Sequence, residues 1–154
     1  EVFKNETNKD PSILNIMLSE SFENNDKKAL SRSISDLKEV GIKIYLSDYG
    51  SGNSNLRYIL EYPFDGIKIN KSLIHGAFVN HNTLETVKFI LRVCAENNLL
   101  VVIDGCDDKK YLSMLKDFDI KYNVGKLYGD YVKKEELYHL LSKLLETKFT
   151  EIKY

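Results

Sequence analysis

The stretch Leu46-Ser47-Asp48-Tyr49-Gly50-Ser51-Gly52-Asn53-Ser54-Asn55-Leu56 decides the fold. It follows Ile42-Lys43-Ile44-Tyr45-Leu46, whose side chains alternate as those of a strand do. It then passes two glycines and enters a short helical pattern carrying Leu56, Ile59 and Leu60, for which Ser54 is the expected cap. Pro63 closes that helix, because proline lacks the amide that would continue it. A carboxylate at the end of a strand, on a glycine-rich turn, is where α/β folds place chemistry.

Outward from this stretch the chain alternates between short apolar runs and capped segments of helical period. Residues 13–18 read as a strand after Asp10-Pro11. Asn25 or Asp26 caps a helix whose apolar positions are Leu30, Ile34, Leu37 and Val40, and Gly41 ends it. Strands are expected at 42–47, 66–70 and 99–104, and a weaker one at 122–127. A helix starting at Asn82 or Thr83 carries Leu84, Val87, Leu91 and Cys94 on one face. Asp107 or Asp108 caps another with Tyr111, Leu112, Leu115 and Phe118. The last helix begins near Lys133, with Leu137, Leu140, Leu141, Leu144 and Leu145 expected to face inward. Such alternation implies right-handed parallel crossovers. No Gly-x-Gly-x-x-Gly fingerprint marks a dinucleotide fold. A full eight-stranded barrel needs roughly 250 residues, and this chain has 154. The expectation is the second part of a parallel (β/α) barrel, about five βα units, in a single unit over residues 1–154.

Composition narrows the partners. A net charge of -1 gives no electrostatic reason to expect duplex nucleic acid. The apolar run 99–103 is too short to span a bilayer, so no membrane insertion is expected in this segment. Cys94 and Cys106 lack metal spacing and read as reduced thiols of a cytoplasmic protein. His75, His81 and His139 share no ligand spacing and read as separate surface or turn residues. The chain opens on Glu1 rather than Met, so a piece of something longer is expected.

In a barrel, function lies at the C-terminal ends of the strands. The candidates there are Glu20, Asp48, Lys68, Asn70, Asp104 and Asp107. Ile67 and Ile69 flank Lys68, so if they pack under helices the ammonium points into the barrel. A lysine there needs a carboxylate or a ligand phosphate. The structural alternative is an ion pair with Asp48 or Asp104. Asp48 and Asp104 can also simply make turns. Together, two carboxylates and a lysine suit metal-assisted attack on a phosphodiester.

Four ordered blocks carry a resemblance. They are Leu14-Asn15-Ile16-Met17-Leu18-Ser19-Glu20-Ser21, the 47–56 stretch, Tyr62-Pro63-Phe64-Asp65-Gly66-Ile67-Lys68-Ile69-Asn70-Lys71-Ser72, and Val101-Val102-Ile103-Asp104-Gly105-Cys106-Asp107. The segment Tyr122-Asn123-Val124-Gly125-Lys126-Leu127-Tyr128-Gly129 is a fainter fifth. In this order they resemble the EAL family, the bacterial cyclic di-GMP phosphodiesterase domains, over residues 11–145. The resemblance implies a barrel in which carboxylates hold a divalent metal pair and a lysine assists the attacking water. It also implies that Glu20 stabilises a loop and that the loop 48–55 couples the site to dimer contacts. Against the family pattern, Met17 stands where a metal-binding Glu is expected, Ser47 where the first of two Asp is expected, Asp104 where Glu is expected, and Val124 where Gln is expected. The Glu-Ala-Leu signature is expected upstream of Glu1.

A thioether and a hydroxyl do not replace carboxylates around a hard cation. The expected function is therefore a non-catalytic, degenerate EAL-like domain, either a cyclic di-GMP receptor or a protein-interaction module. Its expected ligand contacts are Lys68, Asp104, Asp107 and Glu20. No cofactor is expected. The alternatives are a residual phosphodiesterase using magnesium or manganese on Asp48 and Asp104, and a purely structural dimerisation domain. Self-association or a protein partner is expected, or completion by a missing N-terminal part, with Tyr58, Ile59 and Tyr62 beside the 48–55 loop and an open strand edge as interface residues; the alternative is that Tyr58 and Ile59 pack inside their own domain.

Overall fold

Helix ends written into the sequence feed the strands. Asp26 opens the first helix by accepting from the amides of Lys28 at 3.1 Å and Ala29 at 3.0 Å. At its far end Gly41, at φ +87°, lets its own amide reach Lys38 O at 2.9 Å and the amide of Ile42 reach Leu37 O at 3.2 Å. That paired closure ends the helix and launches the next strand. Asn98, at φ +55°, does the same further along, with Leu99 N on Cys94 O at 2.8 Å.

The computed structural model of the protein describes residues 10–21, 26–52, 55–118, 120, 122–129 and 132–150. In chain order the elements are β1 (Asn15–Ser19), α1 (Lys27–Glu39), β2 (Lys43–Tyr49), α2 (Leu56–Glu61), β3 (Gly66–Ile69), α3 (Lys71–Val79), α4 (His81–Glu96), β4 (Leu100–Asp104), α5 (Lys109–Met114), β5 (Tyr122–Val124) and α6 (Lys134–Thr150). The strands form one sheet in the order β1-β2-β3-β4-β5, and every neighbouring pair is parallel. The expected α/β architecture of consecutive parallel βα units is what the chain adopts. No helix among the described residues is long and apolar enough to cross a membrane.

One face of the sheet packs under the helices. Leu46, Ile67, Ile69 and Ile103 are fully buried there, with Ile74, Val87, Leu91 and Cys94 from α3 and α4 against them. The other face carries Met17, Tyr45, Ser47, Lys68, Val102 and Asp104, by the register Met17↔Tyr45, Ser19↔Ser47, Leu46↔Ile67 and Lys68↔Val102. At the N-terminal ends of the strands, Lys38 donates to Pro63 O at 2.8 Å and pairs with Asp65 at 3.0 Å. Asp65 in turn accepts from the amide of Ile44 at 2.8 Å. This clasp ties α1, β2 and the entry to β3 together.

Several expectations need correction. The first strand begins at Asn15, because Asp10 caps a 3-10 turn over Pro11–Ile13 that leaves Ile13 exposed. Asn55, not Ser54, caps α2 through the amide of Arg57; Ser54 and Asn25 lie outside the described residues. A helix over Lys71–Val79 was not expected at all. Asn70 caps it through the amide and hydroxyl of Ser72, both at 2.8 Å, so the strand-end candidate Asn70 is also the cap of this helix. Asn80 ends that helix and caps the next through Thr83 N, which moves the start of α4 to His81. The fifth strand stops at Val124, where Lys126–Tyr128 turns into a 3-10 helix. Leu137, Leu140 and Leu141 of α6 are exposed rather than inward, since no described element covers them; the side chains of Leu144 and Leu145 lie outside the described residues. Ile59 and Tyr62, expected at an interface, are buried in their own domain beside Phe64, with Tyr62 5.9 Å from both the Tyr58 and the Phe64 rings.

Two outcomes follow from this packing. A methyl group on Gly66 would run into the carbonyl of Leu100 and lie 2.9 Å from the Tyr45 ring. Gly66→Ala is expected to lower stability by about 2 kcal/mol, as overpacking does, read as an earlier midpoint in urea unfolding. Burial pushes the Cys94 thiol up to about 12, and burial with Asp104 and Asp107 nearby pushes Cys106 up to about 11. The unfolded thiols lose their protons near pH 9, so above that pH the folded chain holds more protons than the unfolded one. Stability is therefore expected to fall as pH rises from about 9 towards 12, and Cys94→Ala/Cys106→Ala should flatten that slope in pH-dependent melts.

Candidate functional site

Period-two alternation in β3 puts Lys68 on the face opposite two fully buried isoleucines. Asp104 reaches the same face two residues beyond Val102, the register partner of Lys68. There Lys68 Nζ meets Asp104 Oδ2 at 2.8 Å, and each side chain is about a quarter exposed, at 21% and 26%. The other carboxylate oxygen, Oδ1, accepts from the amide of Gly105 at 2.8 Å. Of the two carboxylates considered for Lys68, Asp104 is the one that holds it.

Asp48 reaches the end of β2 by another route. Leu46 pairs with Ile67 but Tyr49 pairs with Ile69, so β2 holds one residue more than β3 over this span. The extra residue makes a bulge, and Asp48 sits in it at φ +60°. Its Oδ2 accepts from the Ser47 hydroxyl at 3.2 Å, and its carbonyl accepts from Ser51 N at 3.0 Å. The turn role and the strand-end position thus coexist in one residue.

Glu20 is buried to 3% exposure at the end of β1. Its Oε1 accepts from the amide of Ser51 at 3.1 Å and the hydroxyl of Ser51 at 2.8 Å, and its Oε2 from the amide of Gly50 at 3.3 Å. The carboxylate clasps the glycine turn, which is the loop-stabilising role that the resemblance implied. Gly50, at φ +95°, lies against Leu73 of α3, so the loop is held from two sides. Burial pushes the Tyr49 phenol up to about 12, with Cys94 and Glu20 adding to it.

Asp107 is exposed, and its Oδ1 accepts from the amide of Lys126 at 2.9 Å, tying the loop after β4 to the 3-10 turn after β5. Asp108, not Asp107, caps α5. The sequence marks His75 as a separate surface or turn residue, yet its Nε2 lies 2.9 Å from Gly105 O. A carbonyl only accepts, so Nε2 carries the proton. The ring stacks on Tyr111 at 4.5 Å and 11°. The signal was the spacing of four between Lys71 and His75, which puts both on one side of α3, against Gly105. Without the helix itself, that spacing meant nothing.

Met17 sits on the same face as Ser47 and Lys68, is 53% exposed, and offers only a thioether. Ser47 is buried and offers a hydroxyl. Among the described residues no three His, Cys, Asp or Glu side chains are placed to hold a metal ion. Met17 and Ser47 thus bring no carboxylate to the divalent pair that the resemblance implied, and Asp48 and Asp104 are the carboxylates this face retains.

Comparison with known proteins places this arrangement. A model of the EAL domain family matches residues 1–131. The chain is 30% identical over 111 residues to the probable cyclic di-GMP phosphodiesterase PdeB of Escherichia coli, covering 72% of this chain and 21% of that protein. The EAL domain of Mycobacterium smegmatis DcpA superposes with a TM-score of 0.83 at 21% identity, over 92% of this chain and 64% of that one. The PaMucR phosphodiesterase, solved as a c-di-GMP complex, superposes at 0.77 with 24% identity, over 87% and 54%. The chain thus spans about half to two thirds of these solved structures and about a fifth of PdeB. Its parallel βα units superpose on a portion of one known fold, and the chain is a member of the EAL domain family.

Proposed function

We propose that this chain is a non-catalytic EAL-type module of cyclic di-GMP signalling that works as a nucleotide receptor or a protein-interaction module. The observation that carries the reading is the interior face itself. Met17 and Ser47 stand there without a carboxylate, and Lys68 already neutralises Asp104. Hydrolysis of a phosphodiester at neutral pH needs a source of hydroxide, which a metal-bound water supplies. Magnesium or manganese would find Asp48 and Asp104, one of them engaged by an ammonium. Binding makes smaller demands. A phosphate needs Lys68 and a shaped surface, and Glu20 keeps that surface shaped by fixing residues 50–51.

An interaction role draws support elsewhere. Leu60, Phe78, Val79 and Phe89 expose apolar side chains on α2, α3 and α4. Such side chains suit a protein partner or a second copy. A structural dimerisation domain is the form of this reading in which nucleotide plays no part. Residual phosphodiesterase activity rests on the survival of Asp48, Lys68 and Asp104, and a cytoplasmic location on the reduced thiols.

Cyclic di-GMP incubated with the full-length protein and magnesium or manganese is expected to remain intact. Turnover on the order of 1 s⁻¹ or faster would overturn the reading. Calorimetry with the same nucleotide separates receptor from interaction module. Glu20→Ala is expected to destabilise the chain by about 1–3 kcal/mol, because it removes the charged acceptor from the part-buried amide contacts of Gly50 and Ser51. Hydrogen exchange should show faster exchange at Gly50 and Ser51, with β3 unchanged.

A further inference from the structure

The Lys68–Asp104 ion pair sets a condition on any anion that enters this face. Asp104 is anchored at both oxygens, one by the backbone amide of Gly105 and one by the ammonium. Turning the carboxylate away from Lys68 would disturb the 2.8 Å contact with Gly105. The lysine is the more mobile partner, a point charge on a long stem with rotatable donors. A phosphate approaching Lys68 meets a fixed negative charge beside it. Ser47 and Met17 bring no positive charge to offset that, and Asp48 adds negative charge at the neighbouring strand end.

We propose that Asp104 is an internal competitor for Lys68. A ligand phosphate engages the ammonium only by drawing it off the carboxylate. Asp104 is thereby the residue that sets how tightly this face holds an anion when no divalent cation is present. The proposal rests on the reading of this face as a nucleotide site and names the residue that governs its affinity. It distinguishes Asp104 from Asp107, whose contacts are to the backbone of Lys126 and, at 4.0 Å, to His75, and not to the lysine of β3.

The test is calorimetry of cyclic di-GMP against the full-length protein in EDTA. Asp104→Asn keeps an oxygen for the Gly105 amide while removing the charge. It is expected to bind about tenfold or more tightly than the unaltered protein. The double variant Asp104→Asn/Lys68→Gln is expected to lose that gain, and Glu96→Gln, which removes an exposed carboxylate from the end of α4, to show none. Asp104→Ser serves as a second charge-removing variant if circular dichroism shows Asp104→Asn misfolded, with the same gain expected. An Asp104→Asn affinity no higher than that of the unaltered protein, including no binding by either, overturns the proposal. A gain that survives Lys68→Gln, or that Glu96→Gln matches, overturns it as well, because bulk charge would then explain it. Failure of the non-catalytic reading is seen separately, as turnover of the nucleotide with magnesium or manganese, and EDTA keeps that from entering the binding measurement.

Discussion

Everything at the strand ends depends on two isoleucines. Ile67 and Ile69 occupy a four-residue strand in the middle of the sheet, and neither exposes any surface. A slip of one residue would carry both to the opposite face and drive an ammonium under the helices. Burial therefore fixes the register of β3 on both sides, against β2 through Leu46↔Ile67 and against β4 through Ile69↔Ile103. With those registers set, the heights of Asp48 and Asp104 above the sheet follow. The position of the ion pair is a by-product of hydrophobic packing a few ångströms away.

This division of labour between the two faces explains how an EAL domain keeps its fold while its donors change. The helix-covered face holds the core, Leu46, Ile103, Ile74 and Val87 among it. Met17 and Ser47 lie on the other face, and Met17 is half exposed. Exchanging a carboxylate for a thioether there removes no core contact. It alters what the strand ends can hold and leaves the sheet as it was.

Much of this was legible in the sequence, for reasons that differ by residue. The outward isoleucines and inward lysine of β3 could be read because alternation over Gly66–Ile69 is unbroken. Asp26 and Gly41 were readable as the two ends of α1, since capping is local chemistry. The helix over Lys71–Val79 was not, because Leu73, Ile74, Ala77, Phe78 and Val79 are too densely apolar to show one face, and Gly76 interrupts them. The capping role of Asn70 is hidden with it, because a cap is legible only once its helix is. The leucines of α6 were read as inward from periodicity alone, and periodicity says which face is apolar without saying that anything covers it. The partner of Lys68 stayed open between Asp48 and Asp104 because the bulge at Asp48 depends on strand pairing, which no single strand reveals.

The clasp made by Glu20 has a bearing on how such a loop drifts over evolutionary time. Its carboxylate takes the backbone amides of Gly50 and Ser51, and only one of its three described contacts involves a side chain, the Ser51 hydroxyl. Backbone amides are present whatever residue occupies the position. The shape of the turn is thus inherited through Glu20 and through Gly50, which its φ of +95° and its contact with Leu73 hold to glycine, while the residue at position 51 is freer to wander. A lineage that abandons catalysis can lose metal-binding groups on either side of this loop and still keep the loop's contour, and so retain a surface on which a different kind of recognition can be selected.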